Sequence, residues 1–261
     1  MFYIGFRMSN NSYIAKDIME QHIFIDRFFQ SQYELLDTRH KEKRDINSLY
    51  TFLNNLHTVG DRLKEEFDCE IKSYPEFKIL RIIRNYLHHA GDFKEIRVNV
   101  VLQPGVISSH NEHLIIPLEV FAKSLKSFID KNTLPEGHKK FKNKQQFISR
   151  ELDSISEIFS YTQDLLSNLD VMCNKPRLKL DGEVFELGFD MYKFVYNIAN
   201  IVADKCRLIE ELKNKAIIRD LEQTYTQDFN IDKRDVLCSP EKVPVLTTSG
   251  FVYPAKIEAA R

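Results

Sequence analysis

Residues 75–91 read PEFKILRIIRNYLHHAG. Pro75 stands where a helix tolerates proline, in the first turn, and Gly91 where a helix commonly stops. At 100° per residue, Ile79, Leu80, Ile82, Ile83, Tyr86 and Leu87 fill one continuous apolar arc. Arg81, Arg84 and His88 gather on the opposite side, with Asn85 and His89 at its edge. An apolar arc backed by a polar one predicts a helix laid on a core. Its last two turns present two arginines, an amide and two imidazoles.

The flanks extend this helical pattern. Residues 12–37 predict a helix with Ile14, Ile18, His22, Ile25 and Phe29 at steps of three and four. A charged connection at 39–44 leads to Asp45, a candidate N-cap. The next helix repeats Leu49, Phe52, Leu53, Leu56, Leu63 and Phe67, with Gly60 its weak interior point. After Gly91 the texture changes: residues 96–101 (IRVNVV) alternate and are β-branched, a Pro-Gly pair follows at 104–105, and Leu114 to Ile116 return as the partner strand of a small hairpin. Leu118, Phe121, Leu125 and Ile129 mark a fourth helix, and residues 134–144 form a Lys-rich linker.

Beyond it, a long helix is expected over 145–174, nearly heptad in Ile155, Ile158, Phe159, Leu165, Leu166, Leu169 and Met172. Residues 177–187 alternate around Asp181-Gly182, a strong hairpin signal. A second long helix is expected over 189–214, with Phe194, Ile198, Ile201, Val202, Ile209 and Leu212. Both are too short and interrupted to favour an intermolecular coiled coil, so they are expected to pack into a core as a pair. Pro240, Pro244 and Pro254 mark an extended tail. The expected fold class is mainly α: a helical bundle over 1–135 with a β-hairpin insertion near 96–116, then a second helical section over 136–261 with a hairpin near 177–187 and the tail.

Composition agrees with long helices. Eight Gly and eight Pro among 261 residues are about half the usual share. Apolar residues at 43% and charged residues at 29% describe a chain that buries a core. No window approaches the roughly 18 apolar residues of a membrane span, and the first residues, MFYIGFRMSNNS, lack the order of a signal peptide. Cys69, Cys173, Cys206 and Cys238 are scattered, so free thiols in a cytoplasmic protein are expected rather than disulfides. A net charge of -1 excludes a broadly basic nucleic-acid-binding surface. Any anion site must be local.

The polar face of residues 81–89 is such a local site. A guanidinium holds a phosphate through two hydrogen bonds and stabilises charge that builds in the transition state. An imidazole titrating near neutrality takes a proton from an attacking hydroxyl or gives one to a leaving group. When the nucleophile is the ribose 2′-hydroxyl no metal is required, and the substrate is RNA. The competing reading is a solvated helix face, since Arg and His near a helix C-terminus are favoured by the macrodipole alone.

Arg84-Asn85-Tyr86-Leu87-His88-His89 resembles the signature of HEPN domains (higher eukaryotes and prokaryotes nucleotide-binding), an Arg, a polar residue and, four to six positions on, a His. The resemblance covers roughly residues 12–130. It implies an all-α bundle and a metal-independent endoribonuclease, a hydrolase of toxin–antitoxin or antiviral-defence type, whose site is completed by homodimerisation. It assigns Arg84 as motif arginine, Asn85 as its polar neighbour and His89 as motif histidine. His88 remains the alternative, because it shares a face with Arg84 and also fits a count from Arg81. The implied partners are RNA, a second copy and an antitoxin or defence-system protein, with no membrane, metal or other cofactor. A non-catalytic nucleotide- or RNA-binding or protein-interaction module is the main rival.

Three further features carry a weaker signal. His110 and His113 form H-x-x-H around Glu112, expected to be a solvated loop rather than a metal site. The run from His138 to Lys144 is basic with one aromatic, and is expected to be a solvated linker more than an RNA track. Asp181-Gly182 is turn chemistry.

Overall fold

A computed structural model describes residues 21–37, 46–90, 96–99, 106–108, 112–231, 236–238 and 245–253. The fold is mainly helical, as the apolar spacing predicts. Ten α-helices lie among the described residues: α1 (Ile23–Leu36), α2 (Ile46–Phe67), α3 (Pro75–Ala90), α4 (Leu118–Asn132), α5 (Phe141–Ile158), α6 (Thr162–Ser167), α7 (Leu169–Met172), α8 (Tyr192–Arg207), α9 (Glu210–Lys213) and α10 (Ala216–Arg219).

The strands are short: β1 (Ile96–Asn99), β2 (Val106–Ser108), β3 (Glu112–Pro117), β4 (Arg177–Leu180), β5 (Glu183–Glu186), β6 (Gly188–Asp190), β7 (Val236–Cys238), β8 (Val245–Thr247) and β9 (Gly250–Val252). They form a three-stranded sheet, β1-β3-β6, and three two-stranded ones, β2-β7, β4-β5 and β8-β9. The pairing expected between residues 96–101 and 114–116 is present, with Ile96 opposite Ile115. The β4-β5 hairpin turns at Asp181 and Gly182, both at positive φ, 47° and 88°. Consecutive left-handed residues match the twist of the strands they join.

One hydrophobic cluster runs through the molecule. Phe28 of α1, Phe52 of α2, Ile79, Leu80 and Ile83 of α3, Phe121 of α4 and Phe194 and Ile198 of α8 all belong to it. Helix α8 is buried nearly all round, from Phe194 to Cys206. The same core therefore contains residues from both sides of position 135. Gly60 lets α3 approach α2 closely: a Cβ there would stand 2.8 Å from the Phe77 ring. The residue that looked like a weak point is a packing contact.

Several expected boundaries differ. The first described helix begins at Ile23, where His22 takes a left-handed conformation (φ 60°) and bonds to Glu66 instead of joining the stripe. Residues 12–20, the connection at 39–44, Asp45, Gly91, His110 and the Pro-Gly pair at 104–105 lie outside the described residues. The Lys-rich linker is shorter than expected, since α5 starts at Phe141, and Lys144 is already helical and bonds to Asn132 at 2.8 Å.

The helix expected over 145–174 breaks at Phe159, whose ring leaves the helical path to pack on Phe121 and Phe189 at 5.5 and 5.3 Å. The helix expected over 189–214 is also divided. Residues 188–190 pair with β3 as a strand, and the chain bends again at Leu208 and Ile209 before α9. The tail is not simply extended: β7 pairs with β2, and β8-β9 folds as a hairpin beside β6. Gly188 permits this last approach, since a Cβ there would meet the Thr247 carbonyl oxygen at 2.8 Å.

Candidate active site on helix α3

Helix α3 runs regularly from Pro75 to Ala90, so the angular relations among its side chains are those of an ideal helix. Ile79, Leu80, Ile82 and Ile83 are buried, and Arg84, Asn85, His88 and His89 reach the surface. Helix α2 packs along the same edge and contributes Tyr50 and Asn54, four residues apart on one face.

These two residues hold the polar groups of α3. Arg84 donates from Nε to Asn54 Oδ1 at 3.1 Å and from a terminal nitrogen to Asn85 Oδ1 at 3.3 Å. Both partners are neutral amides, and no carboxylate among the described residues pairs with Arg84. Among the described residues its positive charge is oriented but not neutralised. Tyr50 Oη lies 2.6 Å from His88 Nδ1, with the two rings nearly parallel. With the phenol donating, a neutral His88 carries its proton on Nε2. His89 is exposed and meets the His88 ring edge-on, with centroids 5.0 Å apart.

Arg81 differs from Arg84. It forms an ion pair with Glu151 of α5, a carboxylate that also faces Lys78 at 3.6 Å. Glu151 is buried, so Arg81 is committed to joining α3 and α5. One turn further along α2, His57 borders the space beneath Arg81 and Arg84. That space holds about 10 Å³, no more than one water molecule. Any phosphate engaging Arg84 therefore approaches from the surface.

The five predicted site residues thus separate into groups. Arg84 and Asn85 bond to each other, and His88 and His89 touch beside them at the end of the helix. Arg81 is drawn away by Glu151. Sequence reasoning missed Tyr50 and Asn54, whose only signal was their four-residue spacing on the polar side of a helix read for its apolar stripe.

The other candidates settle differently. His113 is not in a solvated loop: it lies in β3, 1% exposed, with Nδ1 2.7 Å from Asp190 Oδ2. Asp190 Oδ1 also accepts from the backbone N–H groups of Leu114 and Tyr192, so this carboxylate ties β3 to the start of α8. No group of three or more His, Cys, Asp or Glu side chains among the described residues is placed to hold a metal ion. No helix among them is long and apolar enough to cross a membrane. No protein-family model matches the chain, and neither a curated protein nor a solved structure does.

Proposed function

We propose that the chain is a metal-independent endoribonuclease and that the C-terminal end of α3 carries its chemistry. The observation that supports this most is an arginine fixed by two amides, with no carboxylate partner among the described residues, one helical turn from a tyrosine-held imidazole. In this mechanism, one imidazole takes the proton of the ribose 2′-hydroxyl as the oxygen attacks phosphorus. The bond to the 5′-oxygen breaks, and that oxygen receives a proton from an imidazolium. The products are a 2′,3′-cyclic phosphate and a 5′-hydroxyl end. Arg84 stabilises the negative charge on the phosphoryl oxygens.

His88 lies on the Arg84 face and serves as the base, with Tyr50 fixing its ring. His89, the motif histidine by resemblance, is the second imidazole and serves as the acid. A homodimer placing two such helix ends across a groove would present both sets to one RNA strand. A role in toxin–antitoxin or antiviral systems extends the same proposal.

The test is cleavage of a mixed RNA pool in the presence of a chelator, by wild type and by Arg84→Ala, His88→Ala and His89→Ala. Arg84→Ala is expected to slow cleavage about a hundredfold or more, the usual cost of one charge-stabilising donor. A 2′-deoxy substitution at the cleaved position is expected to abolish cutting. Cleavage unaffected by all three variants would sink the assignment. RNA binding without cleavage would leave a binding module in its place.

A further inference from the structure

A second polar cleft opens on the other side of α3. Tyr86 follows Arg84 by two residues, about 200° around the helix, and lines a cavity of about 540 Å³. Pockets that take small ligands run from roughly 300 to 1,000 Å³. Lys123, Lys126 and Lys131 of α4 form one wall, and Asp170 and Asn174, from α7 and just beyond it, face them.

The lysines are unequally committed. Lys123 pairs with Glu119 one turn back on its own helix. Lys126 reaches across the cleft to Asp170, a carboxylate 83% exposed. Lys131 pairs with no carboxylate among the described residues. An ion pair as open as Lys126–Asp170 contributes about 0–1 kcal/mol, so a more highly charged anion can take the place of Asp170. A phosphate monoester carries about two negative charges near neutral pH and has three acceptor oxygens. The cleft is far larger than a phosphate ion, and its remaining lining suits a nucleoside. The Tyr86 ring offers a face for a base, and the Asn174 amide both donates and accepts.

We propose that this cleft binds a nucleoside phosphate, with Lys126 exchanging Asp170 for the phosphate beside Lys131 and the base lying against Tyr86. The site goes beyond the ribonuclease proposal and shares no residue with it. The same chemistry is offered by a free mononucleotide and by the 5′-phosphorylated end of an RNA, so the test includes both.

Isothermal titration of the full chain with the four ribonucleoside 5′-monophosphates, inorganic phosphate, adenosine and a 5′-phosphorylated tetranucleotide provides the reading. At least one monophosphate is expected to bind saturably and at least tenfold more tightly than inorganic phosphate or adenosine. Lys126→Gln is expected to weaken it about tenfold, the effect of losing one charge-assisted hydrogen bond. Asp170→Asn is expected to act oppositely and tighten binding, because it removes the internal competitor. Tyr86→Leu, which retains apolar bulk, is expected to reduce the preference for nucleotide over phosphate. Tighter binding of the tetranucleotide than of any monophosphate would assign the site to RNA ends. Absence of saturable nucleotide binding, or binding indifferent to both Lys126→Gln and Asp170→Asn, would overturn the proposal.

Discussion

His88 and His113 occupy two contrasting regions. His88 ends an exposed helix face and bonds through Nδ1 to a tyrosine hydroxyl; His113 is sealed in a small sheet and bonds through Nδ1 to an aspartate. A histidine–carboxylate pair is the more familiar catalytic pattern, but here it is closed to any substrate. The pair without a carboxylate, Tyr50 and His88, is the one that lies at the surface. The arginines repeat this contrast within one helix. Arg81 is neutralised by a buried glutamate, whereas Arg84 is held by amides and has no carboxylate partner among the described residues. Access and partner, not residue type, distinguish these side chains.

The strongest way to break the comparison is His113→Ala. Removing the ring takes one partner from Asp190 Oδ2, leaves the two backbone donors on Oδ1 and opens a cavity in the sheet. The expected loss, from the cavity and one hydrogen bond, is about 2–3 kcal/mol in urea unfolding, with RNA cleavage by the remaining folded protein unchanged. A loss under about 0.5 kcal/mol would show that the buried pair is not structural.

Tyr50→Phe sharpens the exposed side and has a smaller effect. It removes one hydrogen bond at the surface, so unfolding stability is expected to fall by no more than about 1 kcal/mol. The change belongs in the pH–rate profile for cleavage, because the His88 ring loses the partner that sets its tautomer. An identical profile would remove Tyr50 from the site.

The smallest effect is expected at the opposite end of α3. Glu76 is buried in the first turn, and that burial raises its carboxyl pKa despite a hydrogen bond from Asn197. A carboxyl with a higher pKa in the folded than in the unfolded chain binds the extra proton when folded. Its contribution to stability is therefore present at low pH and lost as pH rises from the ordinary glutamate value through the raised one. Glu76→Gln is expected to flatten this slope above the ordinary glutamate range. Parallel pH–stability curves for the two proteins would contradict it.

Much of the helical fold was legible in local spacing. The stripe Leu49, Phe52, Leu53, Leu56 places α2, and Pro75 marks the start of α3, because an amphipathic period and a proline carry their meaning within one turn. The interruptions were not legible. Phe159 fits the helical stripe as well as Ile155 does, and only Phe121 and Phe189, distant in sequence, draw it out of the helix. The candidate site divides in the same way. Arg84, Asn85, His88 and His89 stand out as neighbours on one helix, whereas Tyr50 and Asn54 acquire meaning only when α2 packs beside them.

The sequence by itself determined the helical class, the polar face of residues 81–89 and the Asp181-Gly182 turn, all consequences of backbone geometry over a few residues. The tertiary structure alone decided which partner each of these side chains meets. It tied Arg81 to Glu151 and His113 to Asp190, and it set Arg84 against two amides. The partner that ties down each side chain stands some 70 or more positions away in these two pairs, and no local pattern encodes that distance.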